Sequence, residues 1–244
     1  MSVDFLVAAA RGGRAPYAGP PNLKIATLGS GWAPLPFHLL RAESADADVR
    51  AAIRAPGFRI AVPPQDTSDE LTFQRVLGFY ETSYARIRDN GGHVVFGDYD
   101  TIAAALRGGE VDYLFGATTK PAGIIRHIGE GPRRIRLAEM PGDLMRWLSD
   151  SFGYGRGIIP AGTYPMLQQG PIETTFMETI VMISTDVPEE DGYQLMTALL
   201  RHYKALAATQ AILADFDPAT AASRLPAPLH PGAARALRQL GFPA

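Results

Sequence analysis

The chain has 244 residues, no cysteine, a formal net charge of −2, and is 46% apolar and 20% charged. That balance belongs to a globular chain with a sizeable core in one large or two small domains, and it lacks the basic excess that nucleic acid or an anionic membrane would call for. Without cysteine there is no disulfide framework, thiolate nucleophile or Cys-ligated metal, and no apolar run reaches the roughly 18 residues of a spanning helix.

The opening "MSVDFLVAAARGG" has no basic leader, and Asp4 interrupts its apolar run, so it makes a poor signal peptide; Val3 to Ala8 reads as a buried strand. Short strands "LKIATL" and "FHLLR" follow in a Pro- and Gly-rich stretch that runs to about Ala55. The "GSG" at Gly29 to Gly31 comes after a strand, as a phosphate loop would, but Pro34 and Pro36 stand where a helix should begin. From Phe58 an alternation sets in. "FRIAV" is a strand, and Phe73, Val76, Leu77, Tyr80, Tyr84 and Ile87 mark one face of a single long helix. "GGHVVF" is the next strand, followed by a helix capped by Asp98 and stopped by Gly108 and Gly109. "VDYLFGA" is a third strand, Pro121 opens a short helix, "RRIRLA" is a fourth strand and "GDLMRWLSDSFG" a helix. This run predicts a parallel sheet covered by helices, with ligands at the carboxyl ends of its strands.

The alternation then breaks. Pro160 to Pro171 reads as a shaped loop around Tyr164, because its prolines fix φ and its glycines free it. Thr175 to Ser184 is a long strand, and from Pro188 onward the pattern is helical, with an apolar stripe of Met196, Leu199, Leu200, Tyr203 and Leu206 and a terminal helix in "HPGAARALRQLGF".

Few residues carry chemistry. The five histidines share no ligand spacing, and neither G-x-S-x-G nor H-E-x-x-H occurs. Thr67-x-x-Glu70 before Leu71 has the form of a capping box; a helix start can hold a ligand carboxylate, although capping alone explains the pair. Thr118, Thr119 and Lys120 end the third strand, where they either complete a polar pocket or form a solvated loop. Asp66, Asp69 and His93 are the nearby acid–base candidates, and none has a partner evident in sequence. No catalytic residue, metal or cofactor is therefore expected.

"IPAGTYP" (159–165) and "LPAPLHPGA" (225–233), in this order and at this separation, resemble the solute-binding subunits of TAXI-type TRAP transporters. "GFRIAVPPQDTSDELT", "ALRGGEVDYLFGATTKPA" and "LKIATLGSGWAPLPFHLL" look like that family's hinge and second-lobe segments, so the resemblance covers nearly the whole chain. It implies an α/β fold of the type II periplasmic-binding-protein kind. Residues 55–155 would form one complete α/β lobe, and residues 1–54 and 156–244 a partial first lobe with the hinge and C-terminal helices. It further implies a bacterial periplasmic receptor, not an enzyme, that binds a small polar metabolite (an organic acid or amino acid) and hands it to a TRAP membrane permease. Thr67, Ser68, Thr118, Thr119, Tyr164 and Trp32 would be its ligand-binding residues, gathered at an interlobe cleft.

Two departures from the family pattern stand out. The usual N-terminal half-lobe is missing, which predicts weak solute binding, self-association through the incomplete lobe and a cytoplasmic location if the chain is full-length. The family's glycine-rich turn after the second-lobe strand is here "PQDTSDE", which crowds Asp66, Asp69 and Glu70 where relatives help hold an anion. A cytosolic enzyme on the same fold, or a remnant that binds nothing, are the competing readings.

Overall fold

The computed structural model describes residues 2–17 and 19–244. It opens with a helix where the pattern reads as a strand: only Ser2–Val3 (β1) is extended, and Asp4–Gly12 (α1) is helical. Burial of Val3, Phe5, Val7 and Ala9 does alternate. The backbone nevertheless follows the alanines after Val7, which favour helix, and Gly13 at φ +61° closes it with its N–H on Ala10 O.

Strands β2 (Ile25–Gly29) and β3 (Pro34–Ala42), the one-turn α2 (Val49–Ala52) and β4 (Arg59–Val62) follow. The apolar stripe from Phe73 to Ile87 is carried by two helices rather than one, α3 (Ser68–Phe79) and α4 (Tyr84–Asp89). Between them Glu81 turns at φ +55°, and Ser83 accepts the Arg86 N–H as a fresh N-cap. After β5 (His93–Phe96) comes α5 (Tyr99–Gly108), capped by Asp98 on the Thr101 N–H and ended by Gly109 in the left-handed region. β6 (Tyr113–Ala117) leads to α6 (Gly123–Gly129), whose N-cap is Ala122, so Pro121 precedes this helix instead of opening it. The chain continues through β7 (Ile135–Ala138), α7 (Gly142–Phe152), β8 (Gly155–Ile159), β9 (Ile172–Ser184), α8 (Glu189–Thr209) and α9 (Pro231–Gln239).

The elements divide into two compact units. One is Pro36–Phe176. Its sheet has β4 parallel to both β5 and β6, while β3 runs antiparallel to β6 on one side and to β7 on the other. The sheet is thus mixed, not wholly parallel: β4, β5, β6 and β7 run the same way, as the alternation predicts, and β3, which continues from the other unit, lies between β6 and β7 and runs against both. Residues 36–54 and 156–176, which the sequence reading grouped with the flanking segments, pack here because β3 is paired inside this sheet and β8 pairs with the first part of β9. β8 escapes sequence reading because "GRGII" shows no alternation. Its glycines are needed for space, since a Cβ at Gly155 would lie 2.2 Å from the Phe176 ring. Leu40, Ile102, Leu106, Leu114 and Ile125 form one buried cluster that also takes in Tyr164 and Leu167 from the loop after β8.

The other unit joins the N-terminal segment through Leu35 to Met177–Ala244. Here the second part of β9 pairs antiparallel with β1 and β2. The far edge of β2 meets the chain before α9: Thr27 N–H donates to Pro228 O and His230 N–H to Thr27 O, both at 2.9 Å. That explains much of "LPAPLHPGA". His230 caps α9 by accepting the Gly232 N–H, its other ring nitrogen lies 3.1 Å from Val187 O, and a Cβ on Gly232 would come within 2.1 Å of Glu189 O at the start of α8. Leu28, Met196, Leu200 and Leu237 make the core with Trp32, whose ring stacks on Phe216 at 4.1 Å. No helix among the described residues is long and apolar enough to cross a membrane.

Candidate functional site

β4 and β6 are parallel neighbours, so their carboxyl ends share one edge of the α/β unit. After β4, two prolines and Asp66 at φ +65° turn the chain into Thr67, the N-cap of α3. Thr67 Oγ1 accepts the Glu70 N–H at 3.3 Å and donates to Pro64 O at 2.7 Å. Glu70 turns inward. It accepts from Tyr84 at 2.7 Å, from Gln74 at 2.8 Å and from the Asp66 N–H at 3.3 Å, a capping box closed one residue early.

Asp69 ties the two strand ends together. Its Oδ1 accepts the Ala117 N–H at 2.5 Å and lies 3.1 Å from the Tyr99 hydroxyl, while Ser68 Oγ donates to Oδ2 at 3.2 Å. Tyr99 itself donates to Ala117 O at 2.6 Å. That approach needs Gly116, where a Cβ would stand 2.7 Å from the Tyr99 oxygen. Burial pushes the Asp69 carboxyl up, against the pull of the Ala117 N–H and the two hydroxyls. The Asp69–Ala117 bond sets residues 67–69 against 117–119.

On the β6 side, Thr118 N–H donates to Pro36 O at 3.2 Å, and the half-buried hydroxyls of Thr118 and Thr119 have no hydrogen-bond partner among the described residues. Beneath them sits Tyr164, 1% exposed. Its hydroxyl accepts the Ala122 N–H at 2.9 Å and lies 3.0 Å from His38 Nε2, whose Nδ1 is 3.0 Å from Pro36 O. A carbonyl can only accept, so Nδ1 carries the hydrogen and Nε2 accepts the Tyr164 O–H. Burial pushes the His38 pKa down to about 4, which keeps the ring neutral. Gln168 fixes the loop from inside, accepting the Tyr164 N–H at 3.2 Å and donating to Pro160 O and Gly170 O at 3.0 and 2.6 Å.

Of the six residues named from the sequence, Thr67, Ser68, Thr118 and Thr119 therefore lie along one strand-end edge, and Tyr164 supports that edge from the core. Trp32 belongs to the other unit, where it is 3% exposed and its indole N–H donates to Gly29 O at 3.1 Å. The neighbouring "GSG" turn is also spent internally, with Ser30 bonded to Ala221 O and Ser223 O. His38 and Tyr99 carry no sequence signal, apart from the place of Tyr99 just after a helix cap at a strand end. Among the described residues no three potential metal ligands gather.

Residues 1–241 match the NMT1-like family over almost the whole chain. The chain belongs to the NMT1-like family. Its fold is α/β, of the type II periplasmic-binding-protein kind. Solved structures with some likeness include a periplasmic sulfonate-binding protein of Methylobacillus flagellatus KT, with 14% identity, a TM-score of 0.44 and coverage of 79% of this chain and 48% of that one. The aliphatic sulphonate-binding protein of Escherichia coli gives 15%, 0.44, 87% and 58%, and an L-cystine ABC transporter protein of Listeria monocytogenes 10%, 0.39, 78% and 60%. The chain spans about half to three-fifths of the length of these proteins. No curated protein matches it.

Proposed function

We propose that this NMT1-like chain is a solute receptor that holds a small polar metabolite at the carboxyl edge of β4 and β6 through Thr67, Ser68, Thr118 and Thr119. The observation that carries this reading is the pair of unpartnered threonine hydroxyls held beside the start of α3 by the Asp69–Ala117 bond. Hydroxyls and backbone amides on a stiff strand-end edge can grip a polar molecule without doing chemistry on it. Tyr164 and His38 stiffen the edge from behind, and a preorganised turn loses less entropy on binding.

The same reading places the receptor in the periplasm beside a membrane transporter. The two Pro-Gly segments favour a TRAP permease as that partner. An adjacent gene for a TRAP permease supports this partner, and an adjacent ABC permease and ATPase pair overturns it while leaving the receptor in place.

A thermal-shift screen of amino acids, amines, organic acids, sulfonates and sugars tests the receptor itself. A ligand that binds only the folded state raises Tm by mass action, by about 2.7 kcal/mol of stability at a hundredfold excess over Kd. At least one class should shift the wild type and shift the double variant T118V/T119V less. No shift from any class sinks the receptor reading, and turnover of a compound replaces it with an enzyme.

A further inference from the structure

We propose that Asp69 makes this strand-end edge a site for a protonated nitrogen, an amine or guanidinium group, and bars it to carboxylates and sulfonates. The inference rests on the receptor reading above and adds the class of solute. Asp69 already occupies the place an anion would take: its Oδ1 accepts the Ala117 N–H, the backbone donor at the end of β6, at 2.5 Å. The Glu70 N–H of the first turn of α3 is likewise taken, by Thr67 Oγ1.

The carboxylate is also short of a counter-charge. Its partners are all neutral (the Ala117 N–H, the Ser68 hydroxyl and the Tyr99 hydroxyl), and no Lys, Arg or His among the described residues pairs with it. Buried carboxylates are ordinarily paired, because neutral donors only partly replace lost water. The shift of this carboxyl toward its protonated form is the mark of that shortage. A second anion here would meet a like charge at close range, whereas a ligand ammonium or guanidinium would supply the missing cation. Of the neighbouring acids, Glu70 does not compete for it, since it is spent on Tyr84, Gln74 and the Asp66 N–H. The Thr118 and Thr119 hydroxyls add acceptors for the remaining N–H groups of such a ligand.

Agmatine and putrescine as cations, and succinate and methanesulfonate as anions, are titrated calorimetrically into the full chain and into D69N. Asn keeps an acceptor oxygen for the Ala117 N–H, so the turn is preserved while the charge is lost. The expected result is that at least one cation binds the wild type, at least tenfold more weakly D69N, and that neither anion binds the wild type. Should D69N fold poorly, the Ala117 amide resonance of the wild type is followed by NMR, and it moves on addition of the bound cation. Anion binding that T118V/T119V weakens, without cation binding, overturns the inference and leaves the receptor standing. If none of the four binds, the inference also falls, while the receptor is judged separately by the broader screen. Equal cation affinity in D69N, or an unmoved Ala117 amide, overturns it as well.

Discussion

Tyr164 and His38 show how one hydroxyl can hold a turn. The Tyr164 oxygen accepts from Ala122 and donates to His38, so removing it strands a buried N–H and a buried ring nitrogen at once. Y164F is expected to cost about 1–3 kcal/mol in urea unfolding. It should weaken solute binding more than that loss alone explains, since the Thr118–Ala122 turn loses its anchor. A second residue-scale prediction concerns Asp4. Burial, helped by the nearby Glu178 carboxylate, pushes its pKa up to about 7, despite the Phe5 N–H at 2.8 Å. Between pH 3.8 and about 7 the folded chain therefore holds a proton that the unfolded chain has lost. Asp4's contribution is complete below pH 3.8 and fades as pH rises to 7. D4N should raise stability by on the order of 2 kcal/mol at pH 8 and change little at pH 3.5, as read by thermal melts at the two pH values. An equal effect at both would contradict the buried, proton-holding carboxyl.

At the scale of elements, helices with written caps were legible, as Asp98 with Gly109 and Thr67 with Glu70 illustrate. Elements fixed by tertiary neighbours were not. α1 has the alternating burial of a strand, but its backbone obeys local alanine propensity and a glycine cap. The place of β3 between β6 and β7, running against both, leaves no local trace, because β3 lies about a hundred residues upstream of β7 in sequence. In the candidate site the hydroxyl residues could be read because they follow strands. The partners of Asp69 could not, because Tyr99 and Ala117 reach it only through the folded sheet. The α8–α9 contact offers a direct test at this scale. In G232A the new methyl meets backbone at Glu189 and Tyr193, which cannot swing aside, so a loss of 2 kcal/mol or more is expected in Tm-derived stability. A variant as stable as wild type would mean that the helices can separate freely.

At the scale of the molecule, each unit has its own buried cluster, and the NMT1-like match runs through both. The segment that covers the β2 edge also brings Ala233, Ala236 and Leu237 onto the core of Leu28, Met196 and Leu200. Ending the chain at residue 224 should expose that edge and an apolar face, and sedimentation velocity should then show more association than the full chain shows at the same concentration. A monodisperse truncated chain would argue against this role. The central claim, that solute is gripped at the β4–β6 edge, is tested most directly by calorimetric titration of the strongest thermal-shift ligand into wild type and T118V/T119V. The account predicts at least tenfold weaker binding to the double variant with its melting temperature little changed; equal affinity in the two proteins would contradict it.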